Sequence, residues 1–373
     1  MFFGRYIERV WGKGLGKGFG VFPVRSCHKA GWRYSEQLSM HETEQLTVAI
    51  VGAGLMGNWH AHAAKKNGAT ITAIVDPDLD AAKVLVARYG GRAFADFDQA
   101  LEQARFDIVH LCTPLDTHVL LAKQALTARK HLIIEKPVAP ARNEVSELLD
   151  LAAGQDLLLC PVHQFAFQRG VASVKNELAR RTSGPLAVTF DFASAGGVGR
   201  QAHELNRILI EILPHPLSIL SEVWPETPLE KESWCVDNPR PGELFAYCRH
   251  QAFPVSIKLS LNARPTQCKM TIYHEQGAIH ANLFHGFAAF ESPAVSRFRK
   301  IISPFSLSLK TLLAATGNLL RRSLNREPAY PGLRSLIAQC YQSVKRSTDG
   351  PITRDSIIAV ATITELVERK LSR

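Results

Sequence analysis

A short β-branched apolar run at residues 46–51 passes directly into Gly52-Ala53-Gly54-Leu55-Met56-Gly57. A helix-like stretch over 56–66 follows, closed by Asn67-Gly68, and a second apolar run over 70–75 ends in Asp76-Pro77-Asp78. Each glycine has a physical task in such a turn. Gly52 permits the tight bend, Gly54 lets the main chain approach a ligand, and Gly57 lets helix and strand pack closely. The helix start then presents Leu55, Met56 and Gly57 with free N–H groups and a partial positive charge, which suits a pyrophosphate. Asp76 stands nineteen residues beyond Gly57. Its carboxylate can accept hydrogen bonds from ribose hydroxyls and repels a 2′-phosphate, favouring NAD over NADP. Strand, glycine turn, helix, strand and terminal acid together specify a βαβ unit for a dinucleotide.

The alternation continues. Residues 98–104 read as a helix and 107–112 as a buried strand ending in Thr113-Pro114. Residues 115–129 are helical, and 131–134 form a strand ending in Glu135-Lys136-Pro137. A helix over 143–153 leads to a strand over 157–162. This predicts an α/β chain whose residues 45–163 form a doubly wound parallel sheet, with ligands at the carboxyl ends of its strands. The glycine loop, Thr113-Pro114 and Lys136 all fall there. Residues 164–373 read as a second α/β domain. It opens with a helix to about residue 181 and a strand near 186–193, followed by a helix over 205–223. Short alternating strands then suit an antiparallel sheet with one covered face.

The charge is local. The chain has 373 residues and a formal net charge of +10. Seven basic residues and two acids lie in 1–40, and seven basic residues with no acid lie in 292–326. No zinc-finger or basic recognition helix accompanies them, so a nucleic-acid partner is not expected. Residues 1–44 form a basic extension, expected to be unstructured. It lacks the apolar core of a secretory signal, and two readings stand: a transit-peptide-like segment, or a start at Met40. Seven cysteines without a C-x-x-C pair suggest neither disulfides nor a zinc site, and a reducing cytoplasm fits them. Within 292–326, Phe305, Leu309, Leu312, Leu313, Thr316, Leu320 and Leu324 recur at helical spacing, with Thr311, Asn318 and Arg322 opposite. This is either a helix packed on its own sheet or an in-plane helix on a membrane of anionic lipid.

The string from Thr113-Pro114 with His118, Ala122 and Ala125 to Lys130-His131 and Glu135-Lys136-Pro137 resembles the Gfo/Idh/MocA oxidoreductases. That family is named for glucose–fructose oxidoreductase, inositol dehydrogenase and a rhizopine catabolism protein. The Gly52 loop with His60, and Asp76-Pro77, extend the likeness over about residues 46–139. The resemblance implies a Rossmann domain and a second domain with a large, mostly antiparallel sheet. It also implies NAD(P)-linked chemistry on sugars, cyclitols or related compounds, and a homo-oligomer. In the family the lysine of the E-K-P string contacts substrate and cofactor, which carries over to Lys136. Thr113, Pro114, His118 and Glu135 complete the cofactor-binding set. The family's D-x-G-x-H string is matched best by Glu211-Ile212-Leu213-Pro214-His215, with glutamate for aspartate and leucine for glycine.

Oxidising a secondary alcohol needs a base for the hydroxyl proton, and a histidine can exchange that proton near neutral pH. His215 is assigned as that acid/base, Glu211 as its orienting partner, and Lys136 as the group that stabilises alkoxide charge. His163 and Gln164, after the sixth strand, join Lys136 and His215 as substrate-binding candidates. His60 reads as a packing histidine. Glu211 and His215 have no obvious third ligand, so no metal is expected. Three functions remain open on the sequence: an NAD-dependent dehydrogenase, a redox-neutral NAD-dependent glycosidase-like enzyme, and a non-catalytic NAD-binding regulator.

Overall fold

The computed structural model describes residues 45–226, 229, 233–249, 252–293, 296–325, 327 and 329–371. The expectations for 1–44 lie outside the described residues. Strand β1 (Thr47–Val51) leads through the glycine turn into helix α1 (Leu55–Lys66), and β2 (Thr70–Val75) follows. Then come α2 (Leu79–Tyr89), β3 (Arg92–Phe94), α3 (Phe97–Gln103), β4 (Ile108–Leu111), α4 (His118–Thr127), β5 (His131–Ile134), α5 (Arg142–Ala153) and β6 (Leu159–Pro161). The six strands pair in the order β3-β2-β1-β4-β5-β6, all parallel. Strand β1 therefore lies at the centre, where Val48, Ala49 and Ile50 are fully buried. This is the expected doubly wound sheet. Helix α2 and strand β3 had no place in the sequence reading. Asp78 caps α2 by accepting from the N–H groups of Asp80 and Ala81, a signal visible in the sequence.

The second sheet has the order β13-β12-β11-β7-β10-β9-β8. Its strands are β7 (Ala187–Ala193), β8 (Trp234–Asp237), β9 (Glu243–Arg249), β10 (Pro254–Ser260), β11 (Gln267–His274), β12 (Gly277–Asn282) and β13 (Phe287–Glu291). Only β7 and β10 pair in parallel. Along β9 and β11, Ala246, Cys248, Met270 and Ile272 are buried while Phe245, Tyr247 and Tyr273 point outward, exposed. One face is thus covered and the other carries aromatic rings.

Two helical expectations need correction, and a third helix packs away from its neighbours in sequence. The first helix of this half, α6, spans Arg169–Leu178 instead of starting at Gln164. The helix expected over 205–223 is two helices, α7 (Ala202–Ile212) and α8 (Pro214–Val223). Pro214 has no N–H to continue the first ladder and takes the N1 position of the next helix, where none is needed. Finally, α10 (Leu333–Arg346) belongs by sequence order to the second half but packs on the first. Its Leu333, Leu336, Ile337, Cys340 and Tyr341 are part of the core that covers the parallel sheet. A long helix, α9 (Arg297–Asn325), follows β13, and α11 (Arg354–Leu371) closes the chain.

Candidate functional site

Gly52 adopts φ +98°, and a Cβ there would stand 2.7 Å from the carbonyl oxygen of Cys112. A Cβ on Gly57 would overlap the Gly52 carbonyl. Both positions are closed to larger residues by the ends of β1 and β4. Gly54 is different. It occupies the N-cap of α1 with no side chain to satisfy the first turn, and a Cβ there would meet nothing within 4 Å. The N–H groups of Leu55, Met56 and Gly57 therefore end on an open approach, the arrangement an anion needs. Asp76 lies beside them. Its carboxylate accepts from the N–H of Ala53 at 2.7 Å and of Asp78 at 2.9 Å. An uncapped helix start, an open glycine and a carboxylate fixed at the tip of β2 fit a dinucleotide.

The neighbouring strand ends are tied to one another. The hydroxyl of Thr117 lies 2.7 Å from Thr113 Oγ1 and 2.8 Å from the Pro114 carbonyl. The His118 ring sits between two main-chain oxygens, with Nδ1 2.9 Å from Pro137 O and Nε2 3.0 Å from Thr113 O. Its ring thus fastens the loop after β4 to the loop after β5, beside Pro114.

Glu135 begins a buried chain of polar groups. Its Oε2 accepts from the Lys136 N–H at 3.2 Å, and its Oε1 lies 3.2 Å from His60 Nε2. His60 Nδ1 is 2.9 Å from His110 Nδ1, and His110 Nε2 is 2.8 Å from the Tyr341 hydroxyl. One proton assignment satisfies every contact. His60 donates to Glu135, His110 donates to His60, and Tyr341 donates to His110. Burial agrees with the neutral His110 and the protonated Tyr341 of this assignment. Burial, then His60, holds His110 well below the usual histidine range, and burial with Cys340 pushes Tyr341 well up. Burial by itself would raise Glu135, but the His60 hydrogen bond and the Lys136 charge bring it below the usual carboxylate value. His60 is therefore a bonded member of a network, which its placement as a packing residue did not convey. His110 and Tyr341 were missed altogether. The available signal was a histidine inside the otherwise apolar strand Ile108–Leu111.

Lys136 reaches across to the second domain, where its ammonium donates to the Glu211 main-chain oxygen at 2.7 Å. The Glu211 side chain turns elsewhere. Its carboxylate lies 3.5 Å from Arg207 Nε, one turn earlier on α7. His215 sits in the first turn of α8, beyond the junction at Leu213, so the two residues do not share an unbroken helix face. The His215 ring stacks on Phe165, centroids 4.2 Å apart and planes at 15°. Burial first, then the charges of Lys136 and His163, hold His215 well below its ordinary value. Burial and Lys136 bring His163 down to about 4, against a smaller upward pull from Glu135. Both imidazoles are thus neutral near pH 7 beside a cationic lysine. Among the described residues, His163 Nδ1, Gln164 Oε1 and His215 Nδ1 are buried without a hydrogen-bond partner. Buried polar atoms of this kind call for a partner.

Residues 46–163 match the model of an oxidoreductase family with an NAD-binding Rossmann fold, Gfo/Idh/MocA. An inositol 2-dehydrogenase of Leifsonia xyli subsp. xyli (strain CTCB07) is 36% identical over 132 residues, 35% of this chain and 38% of that relative. The match thus spans well under half of the relative's length. Two solved structures share the fold over most of the chain. A UDP-N-acetylglucosamine 3-dehydrogenase from Acidithiobacillus ferrooxidans has a TM-score of 0.67 at 15% identity, covering 88% of this chain and 99% of that one. A myo-inositol dehydrogenase from Lactobacillus casei, in complex with NAD(H) and myo-inositol, has a TM-score of 0.63 at 16% identity, covering 88% and 94%. With its glycine loop, its six parallel strands and the Glu135-Lys136-Pro137 turn, the segment 46–163 belongs to the Gfo/Idh/MocA oxidoreductases as their NAD-binding Rossmann domain.

Proposed function

We propose that the chain is an NAD-dependent oxidoreductase acting on a secondary alcohol, or the corresponding ketone, of a sugar, cyclitol or nucleotide sugar. The observation that carries this reading is the pairing of cationic Lys136, after β5 of the sheet that carries the glycine loop, with neutral, partner-seeking His163, after β6, and His215, in the first turn of α8. The N–H groups of Leu55, Met56 and Gly57 would hold the pyrophosphate, and Asp76 the adenosine ribose. When bound, the nicotinamide supplies the hydride acceptor or donor. Lys136, held in place by the Glu211 carbonyl, would donate a hydrogen bond to the substrate oxygen and stabilise its developing negative charge. His215, neutral because it is buried and faces a cation, is in the form that accepts the hydroxyl proton. Its ring is oriented by the Phe165 stack, which takes over the positioning role first assigned to Glu211. His163 and Gln164 would bind further hydroxyl groups. The inositol and nucleotide-sugar dehydrogenases similar to this chain support the substrate class. The outward aromatics Phe245, Tyr247 and Tyr273 support an oligomer formed through the open face of the second sheet.

The test is a screen of inositols, sugars and nucleotide sugars, following nicotinamide absorbance with NAD and with NADH. Turnover on one class, lost in Lys136→Ala, is the expected result. Cofactor retained through purification with turnover but no net NADH would instead favour the redox-neutral reaction. Failure of the folded protein to bind NAD or NADP in calorimetry overturns the reading.

A further inference from the structure

Helix α9, residues Arg297–Asn325, is amphipathic in the inverted sense. Ten of its large apolar side chains face away from the protein: Phe298, Ile301, Ile302, Phe305, Leu309, Leu312, Leu313, Leu319, Leu320 and Leu324 are exposed, from 43% at Ile302 to 85% at Leu324. None of its residues is buried. Leu307 alone among its leucines is half-buried, on the side turned toward the protein. The rest of that side is mostly polar or small, with Ser303, Thr311, Ala314, Asn318 and Arg322 also half-buried. Hydrogen bonds fasten it. Lys310 donates to the Phe290 carbonyl at 3.0 Å, Ser303 to Glu291 at 3.2 Å, and Asn318 and Arg322 to the His285 carbonyl at 2.8 and 3.2 Å. The helix lies along β13, the edge strand of the second sheet, and presents its apolar side to the surroundings. A helix packed through its apolar face on its own sheet, one of the two expectations from sequence, is thereby corrected.

At about 1.5 Å per residue, 29 residues make a ridge roughly 43 Å long. At 100° per residue the exposed apolar side chains occupy an arc of roughly 140°, with Leu307 on the opposite side. No helix among the described residues is long and apolar enough to cross a membrane. What remains is a surface that must be covered in the plane of something apolar. The charge selects the occupant. The segment 292–326 carries seven basic residues and no acid. Arg297, Arg299 and Lys300 at one end of the helix and Arg321 toward the other are exposed. Two copies meeting through these ridges would bring like charges together without a neutralising acid from either segment. An anionic lipid surface offers the reverse: acyl chains for the apolar arc, and headgroup phosphates for the exposed arginines.

We propose that α9 is an in-plane membrane anchor, seating its apolar ridge in the acyl–headgroup boundary of an anionic bilayer, with the protein body taking the place of the usual hydrated polar face. The enzyme's second domain would then be held at the bilayer surface through the edge of its sheet.

The test uses the full chain in a flotation assay against vesicles of phosphatidylcholine alone and of phosphatidylcholine with phosphatidylglycerol. Co-flotation with the anionic vesicles is expected, weakening as salt is raised. The double substitution Leu309→Glu with Leu313→Glu should lower partitioning at least about tenfold, because two acyl-facing side chains become charged. Arg297→Gln with Arg299→Gln should lower it severalfold, up to roughly thirtyfold. Thermal melting of each variant checks that the fold persists. Absence of binding to anionic vesicles overturns the proposal. So does binding that survives the Leu309 and Leu313 substitutions, which would place the contact elsewhere in the chain. Self-association in sedimentation velocity that disappears in the same variant, without vesicle binding, would show that a second copy covers the ridge.

Discussion

The Lys136 ammonium lies 2.7 Å from the main-chain oxygen of Glu211. That bond joins the end of β5 in the first domain to the last turn of α7 in the second. A carbonyl acceptor adds no opposing charge at the ammonium itself, so the lysine acts on a substrate oxygen and on nearby imidazoles as a cation whose charge is offset in part by the neighbouring Glu135 carboxylate. Lys136→Ala should therefore reduce turnover by roughly 10²–10⁴ while leaving NAD binding close to that of the parent. Steady-state rates and calorimetry on the same preparation check it. Near-normal turnover refutes the assignment.

The histidines of the site should make stability fall toward acid pH. His163 sits at about 4 in the folded protein, against about 6.5 when unfolded. Below pH 6.5 the unfolded chain takes up a proton that the folded chain refuses, so stability declines from about pH 6.5 down to about pH 4. His215 and His110, also held down by burial, act in the same direction. The His163 contribution amounts to roughly 3 kcal/mol over that window. Urea unfolding at pH 7.5 and pH 5 should show a smaller loss for His163→Gln than for the parent. Equal losses would mean that His163 is protonated in the fold.

Asp76 is held by the main-chain N–H of Ala53 in the cofactor loop and by that of Asp78 just after β2. Asp76→Ser removes a charged acceptor at the expected ribose position and should weaken NAD binding roughly tenfold to a hundredfold. It should also narrow the preference for NAD over NADP, since the repulsion of a 2′-phosphate is gone. Titrations with both cofactors measure the ratio, and an unchanged ratio removes Asp76 from the recognition of the ribose.

Tyr341→Phe takes the only donor offered to His110 Nε2 in the proton assignment above. A buried acceptor left unpaired costs about 1–3 kcal/mol, so the midpoint of denaturant unfolding should fall while NAD affinity holds. Stability equal to the parent would show that the ring finds another partner.

Most of the first domain was legible because its signals are local. Gly52, Gly54 and Gly57 fall within one six-residue string, and the apolar runs of β1, β2, β4 and β5 were found within a residue of their bounds. What was not legible depends on distant partners. Glu211 and His215 have helical spacing, yet Pro214 starts a new helix and the carboxylate pairs with Arg207. His110 looked like one polar interruption of a strand, because its partner Tyr341 lies 231 positions away. The spacing of Leu309, Leu312, Leu313 and Leu320 announced a helix with an apolar side. Periodicity is silent on which way that side turns, and here the hydrogen bonds that hold the helix along β13 come from its polar residues.

The return of α10 to the parallel sheet has a consequence for how the protein is made. As residues 46–163 leave the ribosome, the helix that completes their covering layer is still about 170 residues from synthesis. Until Leu336, Ile337 and Tyr341 arrive, the nascent nucleotide domain carries a bare apolar flank and a histidine awaiting its hydroxyl. A fragment cut at residue 163 would keep that exposed flank permanently, and self-adhesion in place of a clean, separable domain is the behaviour it should show.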